Sequence, residues 1–267
     1  MDMVTDVEYE KDYPSLGPTH DYSGENEPVF PEKPVDEDYK RDSGAAQPLD
    51  PRIQLNYRQE LAVEMIMGLV RKRAASTSQK AGIVMGRGGT GKSTVITDVE
   101  YKMEEEYGKE SVLKLATSGV AAKVIGGSTA HSSKRGVALP VKTTFKKLKG
   151  KNLRHLQTNY AGKLRLVILD EFSMLKQKEL YYLDQRLRQI MGKNIPFGGV
   201  AVILFGDPGQ LPAIGGTCLW YPNPKYDDDK AGQILWELCC KNVMELLEVN
   251  RIIGDPDAAL YLQIMDA

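Results

Sequence analysis

Apolar residues along this chain follow two rhythms. Between residues 56 and 73, Leu61, Met65, Ile66, Leu69 and Val70 recur at the spacing of one helix face. Elsewhere they gather into short runs at 82–86 (GIVMG), 112–117 (VLKLAT), 164–170 (LRLVILD) and 200–206 (VAVILFG). Runs this short, rich in Val, Ile and Leu, predict strands buried on both faces. Helical patterning at about 91–107 and about 176–191 falls between them. Strands alternating with helices predict an α/β fold, a parallel sheet with helices on both faces.

Residues 1–50 follow neither rhythm. They hold six of the 14 prolines and few branched aliphatics. Such a segment cannot bury enough apolar surface to offset its ordering entropy, so it is expected to be a disordered acidic tail. Either it docks a protein partner, or competes with nucleic acid for a basic face, or it is a solvated tail with no specific role. Residues 51–267 then suit one α/β domain.

Charge sharpens this division. The whole chain of 267 residues carries a net −1, but residues 1–50 hold 14 acids against 4 bases, and the remainder is net +9. Between Glu110 and Asp170 there are 12 Lys and Arg and no acid. That stretch, which includes a basic insertion at about 132–163, predicts a surface for backbone phosphates. Lys134, Lys146, Lys147 and Lys149 are candidate contacts, and His131, Phe145, His155 and Tyr160 are placed among the cations to stack on bases. For any single lysine a solvated face remains the alternative. Lys146–Lys151 also allows a nuclear-import reading. No apolar run is long enough to span a membrane. Cys218, Cys239 and Cys240 have no C-x-x-C spacing and read as reduced thiols of a cytosolic or nuclear protein.

The first predicted strand runs into Gly86-Arg87-Gly88-Gly89-Thr90-Gly91-Lys92-Ser93-Thr94, which fits the phosphate-binding pattern G-x-x-x-x-G-K-[ST]. Glycines let backbone N–H groups curl round a phosphate, and the helix that follows points its positive end at the anion. Lys92 is expected on the β- and γ-phosphates of ATP and Ser93 on Mg²⁺. Gly86, Gly88 and Gly91 also satisfy the dinucleotide pattern G-x-G-x-x-G. That alternative needs an acid about 20 residues on at a strand end, and Glu104–Glu106 lie in a helical stretch instead. The third strand ends in Asp170-Glu171. Asp170 is the candidate metal ligand and Glu171 the candidate base for an attacking water. The fourth ends in Gly206-Asp207-Pro208-Gly209-Gln210, a turn that brings Gln210 to the same edge.

With these motifs in order, residues 51–267 resemble superfamily 1B DNA helicases, above all the petite-integration-frequency (PIF) family and its relatives carried by rolling-circle transposons. The resemblance rests on the P-loop, on Ala116-Thr117-Ser118-Gly119-Val120-Ala121-Ala122 as motif Ia with Gly126 to Ser132 after it, on Asp170 to Met174 as motif II, and on Gly206 to Pro212 as motif III. Leu55-Asn56-Tyr57-Arg58-Gln59 resembles the adenine-reading segment, with Gln59 in its Gln position, and Asn250-Arg251 resembles motif IV. Phe172, Ala213 and Ile252 depart from residues common in the family.

The resemblance implies a RecA-like P-loop NTPase domain and an ATP-dependent 5′→3′ helicase acting on single-stranded DNA with Mg²⁺. It implies γ-phosphate sensing by Gln210 and Arg251, and DNA-backbone contacts from Thr117, Gly119, His131 and Ser132. Repair, recombination or telomere maintenance in the nucleus is the implied setting; the acidic N-terminus is unlike a mitochondrial presequence. The family's second RecA-like domain, with motifs V and VI, is expected to be absent from this chain. A nucleotide- and DNA-binding module without autonomous helicase activity is therefore the alternative.

Overall fold

The computed structural model describes residues 54–73, 80–132, 136–140 and 144–248. The acidic tail, Lys134, and the motif IV segment with Arg251 lie outside the described residues.

Each apolar run of the sequence is a strand here. β1 (Ala81–Gly86), β2 (Val112–Ala116), β4 (Leu166–Asp170) and β5 (Ala201–Gly206) are joined by β3 (Ser128–Thr129) and β6 (Val243–Leu246). They form one six-stranded sheet in the order β3-β2-β4-β5-β1-β6. Every paired neighbour is parallel. The alternation of side chains sorts the sheet into two apolar layers. Ile83, Val167, Leu169, Val202 and Leu204 face one core, while Val84, Leu166, Ile168, Ile203 and Phe205 face the other. Both faces are covered, which is why the runs are continuous rather than alternating.

The second layer is closed by α1 (Tyr57–Arg71), α2 (Lys92–Tyr107) and the short α3 (Gly119–Val124). The first is closed by α4 (Gly150–Tyr160), α5 (Gln177–Met191) and α6 (Asp227–Cys239). α1 opens with a capping box: the Asn56 side chain accepts from Gln59 N at 2.9 Å and the Gln59 side chain accepts from Asn56 N at 3.0 Å. α5 ends on Gly192 at φ 64°, a left-handed stop that a Cβ disfavours. α6 begins with Asp227, Asp228 and Asp229, negative charge at the positive end of the helix dipole.

One of these helices is not marked by a run of buried apolar positions. α4 buries only Leu156 among eleven polar-rich residues, so periodicity does not announce it. It occupies the C-terminal part of the basic insertion. No helix among the described residues is long and apolar enough to cross a membrane.

Candidate nucleotide site and basic face

Parallel strands all end at the same edge, and the register decides what meets there. Ala116 lies beside Asp170, and Met85 beside Gly206. The residues that follow β1, β2, β4 and β5 are therefore neighbours. Together they bound a cleft of about 970 Å³ lined by Gln59, Gly88, Gly89, Gly91, Lys92, Ser93, Thr94, Asp170, Glu171 and Gln210. Ligands of open α/β sheets bind at this carboxyl edge.

The P-loop takes its shape from its glycines. Gly89 and Gly91 sit at φ 87° and 82°, where an L side chain is strained. At Gly86 an added Cβ would lie 2.5 Å from Thr90 Oγ1 and 2.8 Å from the Leu246 carbonyl. Thr90 is buried, and its hydroxyl donates to the Arg87 carbonyl at 2.9 Å, closing the loop from inside. The Lys92 ammonium donates to the Gly86 and Arg87 carbonyls at 2.6 and 3.1 Å, so a cation stands at the mouth of the loop. Ser93 is exposed beside it.

Across the cleft Asp170 is 7 % exposed, and its carboxylate accepts from Glu171 N at 3.0 Å. Burial raises the Asp170 pKa, opposed by that N–H and by the charge of Lys92. Burial and then the neighbouring Asp170 raise that of Glu171, with Lys92 opposing and Asp207 adding to the rise. Glu171 has φ 60° and ψ 50°, a left-handed conformation that costs a non-glycine residue roughly 1 kcal/mol. A desolvated acid pair beside a cation, on a strained backbone, is a charge arrangement that favours binding over stability. Gly206 brings motif III against it: a Cβ there would lie 2.8 Å from the Phe172 ring. Phe172 packs on Trp236 of α6 with ring centroids 5.6 Å apart, which accommodates an aromatic at this position. Gln210 closes the expected turn, its N–H donating to the Asp207 carbonyl at 3.1 Å, and it is exposed to the cleft.

The donors suit a phosphate chain and a divalent cation. The cradle is backbone N–H and ammonium, and oxygen ligands are at hand in Ser93 and Asp170. Among the described residues there is no group of three acidic, His or Cys side chains that would hold a metal by itself. A cation here would draw on phosphate oxygens as well. The dinucleotide alternative fails, because β2 ends in Ala116 and Thr117 and not in an acid, and Glu104–Glu106 lie at the end of α2.

Gln59 reaches the cleft from α1. It is 1 % exposed; Oε1 is held in the capping box, and Nε2 donates to the Thr90 carbonyl at 3.1 Å. One amide N–H and one lone pair thus brace α1 against the P-loop. Its wall of the cleft is completed by Gln54, Leu55 and Asn56. Ser118, Val120, Val124 and Met174 line the cleft as well, and the sequence reading did not single them out as lining residues.

A family model described as PIF1-like helicase matches residues 54–257. The chain belongs to the PIF1-like helicase family. The ATP-dependent DNA helicase RRM3 of Saccharomyces cerevisiae is 30% identical over 196 residues, which are 70% of this chain and 25% of that protein. The structure of Pif1 helicase from Candida albicans superposes with a TM-score of 0.58 at 22% identity, covering 80% of this chain and 44% of that one. Bacteroides Pif1 bound to ssDNA gives 0.52 at 23%, covering 80% and 46%. The chain thus spans about a quarter of the curated relative and less than half of the solved ones.

Among PIF1-like residues expected to meet DNA, Thr117 and His131 follow β2 and β3, which pair Ala116 with Thr129. Thr117 Oγ1 donates to the Glu171 carbonyl at 3.3 Å, tying motif Ia to motif II. Gly119 opens α3 and is exposed, and the Ser132 carbonyl accepts from Gly136 and Ala138. Lys146, Lys147, Lys149 and Lys151 are all exposed.

Three of the other cations are engaged elsewhere: Lys114 pairs with Glu100, Lys163 with Glu110, and Arg165 sits 5.8 Å from the Tyr107 ring centre. The interleaved aromatics require a correction. Phe145 and Tyr160 pack against the core, and His131 Nδ1 lies 3.1 Å from the Leu139 carbonyl. Of the four, only His155 is exposed. An acid-free run of sequence does not mean an acid-free surface, since partners arrive from other strands and helices.

Proposed function

We propose that this chain supplies the nucleotide- and DNA-handling machinery of an ATP-dependent 5′→3′ DNA helicase, coupling ATP hydrolysis to movement on single-stranded DNA. The observation that carries this reading is the convergence of Lys92, Ser93, Asp170, Glu171 and Gln210 on one cleft. In it Lys92 leaves its loop carbonyls for the β- and γ-phosphates. Ser93 and Asp170 would hold Mg²⁺, which would supply charge neutralisation on the transferring phosphoryl group. Glu171, with its raised proton affinity, takes the proton of the attacking water. Gln210, together with Arg251 of motif IV, contacts the γ-phosphate. Phosphates of single-stranded DNA lie along Thr117, Gly119, His131 and Ser132 and on the lysines at 134, 146, 147 and 149. Nuclear DNA maintenance, whether repair, recombination or telomere upkeep, is the setting the resemblance supports.

A second reading is a nucleotide- and DNA-binding module that does not unwind by itself, since the residues that line the cleft suffice for binding. Steady-state ATP turnover with and without single-stranded DNA separates the two, beside a Lys92→Ala control. DNA-stimulated turnover that vanishes in the control supports the helicase reading. Nucleotide binding without turnover overturns autonomous catalysis and leaves the module.

A further inference from the structure

The basic segment that carries Lys146, Lys147 and Lys149 has no regular secondary structure from residue 144 to 149, yet its backbone is held at several points. The holding groups come from one face of α5. Tyr182, Arg186 and Gln189 fall at i, i+4 and i+7, a single stripe along the helix. Arg186 is 2 % exposed. Its guanidinium donates to the Ala138 and Lys146 carbonyls, both at 3.2 Å, and to Gln189 Oε1 at 2.7 Å, and it lies 4.7 Å from the centre of the Phe145 ring. Gln189 pairs with Leu148 like a strand neighbour, accepting from its N–H at 3.1 Å and donating to its carbonyl at 2.6 Å. Tyr182 meets the Phe145 ring at 5.6 Å.

We propose that Arg186 and Gln189 are positioning residues for DNA binding, a clamp that turns Phe145 and Leu148 inward and so mounts Lys146, Lys147 and Lys149 outward as a fixed cationic platform for backbone phosphates. The proposal rests on the single-stranded DNA reading above. Its physical content is entropic. A lysine-bearing loop that is already ordered loses less freedom when phosphates arrive than a loop that must be ordered by them. Burying an arginine fork is costly unless its donors are met, and here Nη1 and Nη2 are met while the buried Nε is not. Here two of the acceptors are carbonyls of the basic segment and its neighbour Ala138, which itself sits at φ 52°. A helix that only needed packing would place an apolar residue at position 186.

The test uses the full chain, a fluorescein-labelled oligothymidylate and three variants: Gln189→Ala, Arg186→Lys, and a triple Lys146, Lys147, Lys149→Ala. Arg186→Lys keeps the charge and loses the fork. Expected for both clamp variants is faster amide hydrogen exchange over 144–149 and DNA affinity lower by roughly five- to tenfold at low salt. The slope of log affinity against log salt is expected to fall toward that of the triple variant, about 2 less steep at about 0.7 per phosphate contact. Affinity for a fluorescent ATP analogue stays within about twofold in all three, which shows that the fold is intact. Faster exchange with unchanged DNA affinity and slope overturns the clamp while leaving the DNA reading in place. Unchanged exchange in both clamp variants overturns it too. A triple variant with unaltered DNA binding overturns the platform and the clamp together.

Discussion

Replacing Gln59 by alanine separates the role the structure gives it from the role its sequence context suggests. The substitution removes the acceptor for Asn56 N and the donor to the Thr90 carbonyl. Losing the reciprocal half of a capping box costs about 1 kcal/mol. Leaving a buried carbonyl without its donor costs about 1 kcal/mol more. Deleting most of a side chain that is 1 % exposed adds a packing loss of similar size. The sum, about 3 kcal/mol, corresponds to roughly 6–12 °C in Tm for a domain of this size.

Urea and thermal melts measure it, and competition between ATP and GTP for the site measures base reading. The expected result is a less stable protein whose affinity falls for ATP and GTP alike, because the strut to the P-loop is gone and the loop is less well formed. Gln59→Glu refines the test. It keeps the cap acceptor but sets a carboxylate against the Thr90 carbonyl. Burial holds such a carboxyl's pKa up, so the penalty is small at low pH, where the acid is protonated and donates, and grows as pH rises through its folded-state value. Unchanged stability in Gln59→Ala, together with loss of ATP over GTP preference, would refute the strut and restore the adenine-reading role.

Three further outcomes follow from the same geometry. Asp170→Asn removes a desolvated charge next to a second acid, so the unliganded protein is expected to gain about 1 kcal/mol, roughly 2–4 °C in Tm, near neutral pH while Mg²⁺-dependent nucleotide binding is lost; a destabilised variant would show the charge is compensated after all. Because Asp170 and Glu171 both have raised pKa values, protons compete with the divalent cation, and Mg²⁺-dependent nucleotide affinity is expected to climb with pH beyond the ordinary carboxylate range before levelling. A titration that is already flat just above the ordinary carboxylate range contradicts this. Gly86→Ala forces the loop off Thr90 and Leu246, and nucleotide affinity is expected to fall at least tenfold in equilibrium binding, whereas Gly88→Ala, whose Cβ meets nothing within 4 Å, is expected to bind nearly as the parent does.

The sequence by itself determined four of the six strands, the P-loop and the acidic edge. These signals are local: four apolar runs too short for helices, glycines at fixed offsets before Lys92, and carboxylates directly after a buried strand. A parallel sheet then brings the strand ends together without further instruction, since all its strands point the same way. What tertiary structure alone decided is how individual polar groups are spent. Gln59 has the sequence position of a base reader, and Thr90, 31 residues away, takes one of its amide N–H groups. Lys114 belongs to an acid-free run, yet Glu100 on the preceding helix neutralises it. Phe145 is interleaved with cations and still turns inward, because α5, about 40 residues on, offers Tyr182 and Arg186 to receive it. Hydrogen bonds and ion pairs act over a few ångströms, and periodicity along a chain says nothing about which distant residue the fold will bring within that reach.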